Sequence, residues 1–307
     1  MRILVTGANG DIADAAGRIL VATYPDAVVH GADAGGKWPG ALYFSKVHRV
    51  PFAADPAYST ALVRLASEYD LIIPTSDAEL ARLAVDPGPA IDLPLLMIRR
   101  DLAAIFTDKL ETAHWLAQIG LDPPATRMLR DASAGDLPLL IKPRRGAGAK
   151  GHEIVRTAAR LAVAKTEHPD DTVAQELIEV PDQEYTCALF AHAGEVRALA
   201  LRRWLVDGRT DRAEVADVPA ITRLLGVIAA AARLEGCINV QLRLAEQGPR
   251  VFEINPRISS TVMMRHLLGF SDLVWWVEAR SGGLPPFVAP KSGSMVFRLS
   301  REMVVHP

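Results

Sequence analysis

Two short stretches near the C-terminal end of the chain carry the side chains best suited to chemistry. In Gly236-Cys237-Ile238-Asn239-Val240-Gln241-Leu242-Arg243, the polar Asn239, Gln241 and Arg243 alternate with the apolar Ile238, Val240, Leu242 and Leu244. In Arg250-Val251-Phe252-Glu253-Ile254-Asn255-Pro256-Arg257, Glu253, Asn255 and Arg257 share one face, and Phe252 and Ile254 the other. Both read as strands, and Glu246-Gln247-Gly248-Pro249 between them has turn chemistry. A hairpin centred on Gln247 sets Gln241 opposite Glu253 and Asn239 opposite Asn255, with facing Cβ atoms about 5 Å apart. One hard cation fits between such side chains at ligand distances of roughly 2.1 Å. A single carboxylate among amides suits magnesium that keeps waters and takes further ligands from substrate phosphates. Asn255 precedes Pro256, which biases it to extended backbone, and Arg257 offers a planar fork for a phosphate oxygen. The competing reading is a solvated polar face on an edge hairpin.

A second phosphate-like feature lies upstream. The strand Leu139-Leu140-Ile141-Lys142-Pro143 runs into Arg144-Arg145-Gly146-Ala147-Gly148-Ala149-Lys150-Gly151, and the strand His152-Glu153-Ile154-Val155 follows. Glycines such as Gly146 and Gly148 let backbone N–H groups approach a phosphate chain, and the flanking cations complement its charge. This is no P-loop, because no Gly-Lys-Ser/Thr opens a helix. Taken alone, it is equally a flexible basic hairpin loop. Upstream again, Thr107-Asp108-Lys109 precedes an amphipathic helix that ends at Gly120, with Asp122-Pro123-Pro124 as a stiff connector.

Three such segments in this order resemble the ATP-grasp superfamily, and within it the carbamoyl-phosphate-synthase-like branch, as a single ATP-grasp unit. The resemblance implies an ATP-dependent, magnesium-dependent ligase that activates a carboxylate as an acyl-phosphate and passes it to an amine or similar nucleophile. It implies that Lys109 and Lys142 reach the nucleotide phosphates beneath the glycine loop. Leu177 and Ile178, following Glu176, match the hinge that offers backbone groups to adenine. Glu184 matches the acid that binds ribose, with Glu179 as its rival. Glu253 and Asn255, with Gln241, match the metal site, and Arg257 the group that steadies the transferred phosphoryl. Arg202 or Arg203 corresponds to an arginine near the γ-phosphate. Adjacent strand residues face opposite ways, and alternation does not choose between them.

The elements that must position these groups fall into three expected lobes. Residues 1–106 alternate buried strands (Ile3-Leu4-Val5, Val28-Val29, Leu71-Ile72-Ile73, Leu95-Leu96-Met97) with helices (Asp11 to Thr23, Pro56 to Tyr69, Asp77 to Val85), which is the pattern of a Rossmann-like parallel α/β layer. Residues 107–179 form a small lobe with the glycine loop, and 180–307 a catalytic lobe with the metal site. The expected fold is thus α/β and α+β. In the first lobe, Gly7-Ala8-Asn9-Gly10-Asp11-Ile12-Ala13 with Asp33 resembles a dinucleotide fingerprint. Its third glycine is Ala13, and no Tyr has Lys four residues later. An NAD(P)-dependent reductase or epimerase is therefore a rival reading, and a non-catalytic ATP-binding module is another. Strand-end residues Asn9, Asp33 and Pro74 to Glu79 are candidate substrate contacts, and Asp77 doubles as a candidate helix cap. Asp207 to Arg212 reads most simply as a charged, solvated loop, and the resemblance implies that it lies where such enzymes close over substrate, with the acceptor pocket between the first lobe and the loops around Arg202 to Arg212.

With 307 residues, half of them apolar, and a formal charge of -2, the composition is that of a soluble globular protein. No basic block points to nucleic acid, and no apolar run of about 18 residues points to a membrane span. Cys187 and Cys237 are isolated among apolar residues, which favours reduced cytoplasmic thiols over a disulfide or zinc site. Small-molecule carboxylate and amine partners are expected, and a homodimer is consistent with the resemblance.

Overall fold

The run Ile3-Leu4-Val5 is fully buried and forms the middle of β1 (Arg2–Thr6). A glycine turn then feeds α1 (Asp11–Thr23), whose Ile12, Ala13, Ala16, Ile19 and Leu20 face inward. The computed structural model describes residues 1–35, 43–88, 92–146 and 151–299. In the first lobe, β2 (Val28–Asp33), β3 (Val47–Arg49) and β4 (Leu71–Ile73) join β1 in a parallel sheet of order β3-β2-β1-β4. Helices α2 (Tyr58–Ala66) and α3 (Asp77–Val85) complete the layer.

Three local differences from the sequence reading have simple causes. The strand β3 is short, and its half-exposed His48 is flanked by exposed residues, so it carries no apolar signal. The expected strand at Leu95-Leu96-Met97 reduces to a single parallel bridge between Leu95 and Ile72. The second helix is trimmed to Tyr58–Ala66 by the turns on either side of it.

Helices α4 (Arg100–Phe106) and α5 (Lys109–Gln118) lead out of the first lobe, and the Asp108 carboxylate caps α5 by accepting from the N–H groups of Leu110 and Glu111. A small antiparallel sheet follows, built from β5 (Thr126–Met128), β6 (Leu139–Pro143), β7 (Glu153–Val155) and β8 (Thr172–Glu176) in the order β5-β8-β6-β7, with α6 (Ala158–Glu167) packed on it. Its core of Leu129, Leu139, Ile141, Val155, Leu161, Ala164 and Ala174 is separate from the rest of the molecule.

The remaining chain forms a six-stranded antiparallel sheet. Its strands are β9 (Glu184–His192), β10 (Glu195–Val206), β11 (Arg209–Val215), β12 (Gly236–Ala245), β13 (Gly248–Asn255) and β14 (Met295–Phe297). Their order is β13-β12-β9-β10-β11-β14. The alanine-rich α7 (Pro219–Ala232) packs on this sheet, and α8 (Val262–Leu267) and α9 (Asp272–Ala279) follow β13. Helix α1 lies against α8 and α9, so the first lobe and the large sheet share one continuous apolar core. Trp275 and Trp276 belong to that core.

Below that core, Arg265 and Asp272 form a completely buried ion pair at 2.6 Å, and Arg265 also donates to the Ser259 hydroxyl. This pair ties the two short helices together directly behind β12. Gly236 opens β12 with φ +105, and a Cβ there would sit 2.5 Å from the Trp276 ring. Backbone strain and ring displacement act together at this position. Gly236→Ala is expected to destabilise the protein by roughly 2–4 kcal/mol, read as a lower urea midpoint at unchanged slope. A change below about 0.5 kcal/mol would rule out this account of the contact.

Candidate functional site

The β12–β13 hairpin has the anticipated pairing at its active end, with Asn239 opposite Asn255 and Gln241 opposite Glu253. It reaches that register by a route the sequence does not reveal. Near the turn, Ala245 pairs with Gly248 and Leu242 with Val251, so Phe252 is an extra residue on β13. A bulge of this kind re-aims side chains. Phe252 consequently lines the same cavity as Glu253, a correction to the expectation that it faces the opposite side with Ile254. Its ring lies 5.7 Å from the Lys142 ammonium, within cation–π range.

The cavity has a volume of about 340 Å³ and lies where the three lobes meet. At one end stand Leu140, Leu177 and Ile178, an apolar slot at the exit of β8. In the middle are Lys142, His152, Gln175, Phe252 and Glu253. Toward the first lobe lie Asn255, Arg257, Ser259 and Ser260, with Asp11 and Ile12 from α1.

Lys142 is fully buried and donates to Gln175 Oε1 at 2.8 Å. Burial pushes its ammonium down to about 8, against the opposing pull of Glu253. Burial and the nearby Lys142 charge also hold His152 below the ordinary imidazole value. Lys109 is buried as well, and its Nζ donates to the Gly146 carbonyl at 2.7 Å, at the foot of the glycine loop. Arg144 and Arg145 both bond to Asp108, so the base of that loop is tied to the start of α5. Gly148 lies outside the described residues.

Glu253 accepts from Asn255 Nδ2 at 3.0 Å, and Asn255 Oδ1 lies 3.3 Å from Arg257 Nη2. Asn239 is buried beside this pair and accepts from the Thr186 hydroxyl. Gln241 Oε1 accepts from Arg203 at 2.8 Å, so its oxygen is already engaged. Among the described residues, no group of three or more His, Cys, Asp or Glu converges on a metal position. The donor set is therefore one carboxylate among amides, which matches a hard cation completed by water and phosphate oxygens.

Arg257 departs from expectation. Its fork is not open: Nε and Nη2 clasp Asp77 of α3 at 2.9 and 2.5 Å, and Nη1 donates to the Ile258 carbonyl. Ser76, not Asp77, caps α3, through a capping box with Glu79. Asp77 is thus free to reach across to the hairpin and hold the guanidinium in place. What Arg257 presents to the cavity is positive charge and an unshared N–H edge, not a bidentate fork.

Arg202 and Arg203 separate cleanly. Arg203 lines the cavity and bonds to Glu184 and Gln241, while Arg202 turns away to Glu214 and the Trp204 ring. Glu184 lines the cavity between Arg203 and Arg243. Burial alone would raise its carboxyl, but the two guanidiniums outweigh burial and hold it below the usual range. Glu179 is exposed and paired with Arg156, away from the cavity. Glu176 borders the slot, but its carboxylate is turned back to Arg250 and the Ala125 N–H. Sequence reading assigned no part to His152, Gln175 or Arg243, and placed Arg209 and Thr210 only within a loop region near the acceptor pocket; all five line the cavity. Only the alternation that placed Arg243 with Gln241 offered a signal. The expected solvated loop at Asp207 to Arg212 is instead a tight turn, with Arg209 and Thr210 already in β11.

In the first lobe, both Asp33 oxygens are occupied by Asn9 and the Gly35 N–H. A Cβ on Gly7 (φ +65) would meet the Thr75 hydroxyl at 2.8 Å, so the first glycine serves a close chain crossing. These contacts give the glycine turn a structural purpose without a dinucleotide.

The cleft thus sets a buried lysine of the small sheet near a Glu/Asn pair of the large one, and comparison with known proteins identifies the fold around it. The family described as ATP-grasp in the biosynthetic pathway with Ter operon matches residues 170–300. The N5-carboxyaminoimidazole synthetase from Staphylococcus aureus complexed with ADP superposes with a TM-score of 0.76 at 14% identity, covering 96% of this chain and 79% of that one. The N5-carboxyaminoimidazole ribonucleotide synthetase from Thermotoga maritima gives 0.71 at 17% identity, covering 92% and 76%. An L-amino acid ligase from Bacillus licheniformis gives 0.69 at 20% identity, covering 90% and 73%. A search of curated proteins finds no match. The chain has the fold of the ATP-grasp superfamily.

The buried lysine has a measurable signature. Its folded-state value of about 8 lies below the ordinary 10.5, so the unfolded chain binds more protons between those limits. Lys142 therefore costs stability in full below about pH 8, and the cost disappears as pH rises toward 10.5. Lys142→Met is expected to stabilise the unliganded protein by up to about 3 kcal/mol at pH 7, less whatever Gln175 loses as an unpaired acceptor. The gain should shrink by pH 10. Urea unfolding at the two pH values decides it, and a pH-independent difference would contradict the burial argument.

Proposed function

We propose that the protein is an ATP-dependent carboxylate–amine ligase of the ATP-grasp type, from the carbamoyl-phosphate-synthase-like branch, acting through an acyl-phosphate. The observation that carries this reading is the shared cavity in which Lys142, Glu253, Asn255 and Arg257 converge beyond an apolar slot at Leu177 and Ile178. Residues 1–106, 107–179 and 180–307 are assigned as the substrate-framing, small and catalytic lobes.

In this reading the adenine occupies the Leu177–Ile178 slot and Glu184 faces the ribose hydroxyls, an apolar wall followed by a polar anchor. Glu179, paired with Arg156 away from the cavity, is set aside for that role. Lys142 and Lys109 neutralise the phosphate chain beside Gly146, with Gly148 outside the described residues. As polyphosphate approaches, its charge restores full protonation of Lys142. Glu253 and Asn255 would hold Mg²⁺, and Gln241 joins them only if its oxygen leaves Arg203. The ion, when bound, neutralises charge on the terminal phosphates. Arg203 and Arg257 add fixed positive charge near the transferred group, with Arg257 held by Asp77. The substrate carboxylate attacks the γ-phosphorus, ADP departs, and the amine then displaces phosphate from the acyl carbon. Positioning and charge neutralisation supply the catalysis, and no side-chain nucleophile is needed. Neighbours of the same fold complexed with ADP or ATP support a nucleotide-binding reading.

Among the described residues no helix is long and apolar enough to cross a membrane, and both cysteines are buried and unpaired. A cytoplasmic setting and a homodimer complete the reading, with small-molecule partners and neither nucleic acid nor membrane.

The test is ADP release across a panel of carboxylates and amines, alongside calorimetric titration of Mg·ADP. Wild type should bind Mg·ADP and release ADP only with an effective substrate pair. Glu253→Gln should lower turnover by about 100-fold or more while the circular dichroism stays unchanged. Undiminished turnover in that variant would sink the assignment of the metal to Glu253.

A further inference from the structure

Arg243 and Arg250 stand directly opposite each other in the β12–β13 hairpin. Like charges in opposed strand positions repel, with facing Cβ atoms about 5 Å apart. Their side chains are only 31% and 15% exposed, so water screens the repulsion poorly. Such a pair is tolerable where each guanidinium is compensated elsewhere.

Both are compensated, and both reach the same short segment. Arg250 forms a two-pronged pair with Glu176, Nη1 to Oε1 at 2.5 Å and Nη2 to Oε2 at 2.9 Å. Arg243 donates through Nη1 to the Ile178 carbonyl, while its Nε and Nη2 hold Glu184. Glu176 ends β8, and Leu177 and Ile178 follow it as the apolar wall of the cavity. The large sheet therefore grips that wall on either side of Leu177.

Arg250 also holds the other chain crossing into the small lobe. Its Nη2 donates to the Pro123 carbonyl at 2.9 Å, and its Nε lies 3.3 Å from the Asp122 carboxylate. Glu176 Oε2 accepts from the Ala125 N–H as well, so entry and exit segments join at one carboxylate. The stiff Asp122-Pro123-Pro124 connector and the end of β8 thus meet on a single guanidinium. A planar fork supplies this geometry, which an ammonium does not reproduce. Arg250 is not among the described residues that line the cavity, so it acts on a bound molecule only through the segment it holds.

We propose that Arg250 and Arg243 are positioning residues for the nucleotide base, fixing the Leu177–Ile178 wall against the hairpin through Glu176 and the Ile178 carbonyl. This rests on the ligase reading above and deepens it, because it assigns the shape of the base slot to two guanidiniums of the large sheet. The phosphate end is held by different groups, Lys142 and the Glu253–Asn255 pair. Loss of the grip loosens the slot and leaves the phosphate end in place.

The experiment is calorimetric titration of the full chain with two probes, Mg·ADP and Mg·tripolyphosphate, which lacks base and ribose. Arg250→Gln and Glu176→Gln should each weaken Mg·ADP at least about tenfold, the scale of a lost charged hydrogen bond, and leave Mg·tripolyphosphate unchanged. The double variant should lose far less than the sum of the two, because both remove one shared interaction. Arg250→Lys, with the charge but not the fork, should fall between wild type and Arg250→Gln. Arg243→Gln should show the same selective loss of Mg·ADP. Arg156→Gln breaks the exposed pair with Glu179 just past the wall, and should leave both affinities unchanged. If Arg250→Gln fails to fold, Glu176→Gln decides the matter from the other side of the pair. Ion pairs that serve stability alone would lower the melting temperature and keep the ratio of the two affinities at its wild-type value, and that result overturns the proposal. Additive losses in the double variant overturn it too, as does a wild type that binds Mg·ADP but not Mg·tripolyphosphate, since the phosphate end would then not be held independently. Failure of wild type to bind Mg·ADP at all would instead overturn the ligase reading beneath it.

Discussion

The site depends on the register of one hairpin, and that register depends on one extra residue. A two-residue connection between Ala245 and Gly248 by itself would pair Gln241 with Phe252 and place Glu253 one step out of line. The bulge at Phe252 absorbs the mismatch and restores Gln241 opposite Glu253 and Asn239 opposite Asn255. It also turns the Phe252 ring into the cavity, where it shields the Lys142 ammonium from water. A carboxylate and a buried cation can then share a small space, because the aromatic wall lowers the local dielectric and strengthens their attraction.

Charge balance explains which groups remain available. The large sheet brings several guanidiniums toward one cleft, and each would be costly if left buried alone. Glu184 neutralises two of them, and Asp77 reaches from the first lobe to neutralise Arg257. The first lobe and the large sheet also share an apolar core, so Asp77 is carried on a scaffold fixed relative to the hairpin. The small sheet, with its own core, joins them through the α5 segment and the exit of β8. Lys142 therefore sits on a sheet with its own apolar core, while the groups it would meet across a polyphosphate chain sit on the core shared by the first lobe and the large sheet.

The sequence made the periodic and the polar parts of this arrangement legible. Alternation in Asn239-Val240-Gln241 and Glu253-Ile254-Asn255 gave both strands and their facing residues. The first lobe was readable because buried parallel strands such as Ile3-Leu4-Val5 are continuous apolar runs. What stayed hidden was set by tertiary geometry. A bulge changes no residue type, so the turn of Phe252 into the cleft left no trace. The Asp77–Arg257 clasp joins residues 180 positions apart, and Asp77 looks locally like any first-turn helix acid. Arg202 and Arg203 were indistinguishable because both faces of β10 carry apolar neighbours, and only pairing with Glu184 or Glu214 separates them.

The clasp on Arg257 has a consequence for how chemistry would proceed in this cleft. Three of the five guanidinium N–H directions point to Asp77 and Ile258, and a fourth leans on Asn255. A phosphoryl group arriving beside it meets a charge already shared with a carboxylate, so attraction in the ground state is moderated. In the proposed reaction, negative charge would grow on oxygen beside the Glu253–Asn255 pair. A guanidinium held rigid at that point gains most as the charge develops, since it needs no reorganisation to respond. Under the proposed function, the same pairing that denies Arg257 a free fork would make it a better electrostatic partner for the transition state than for bound substrate.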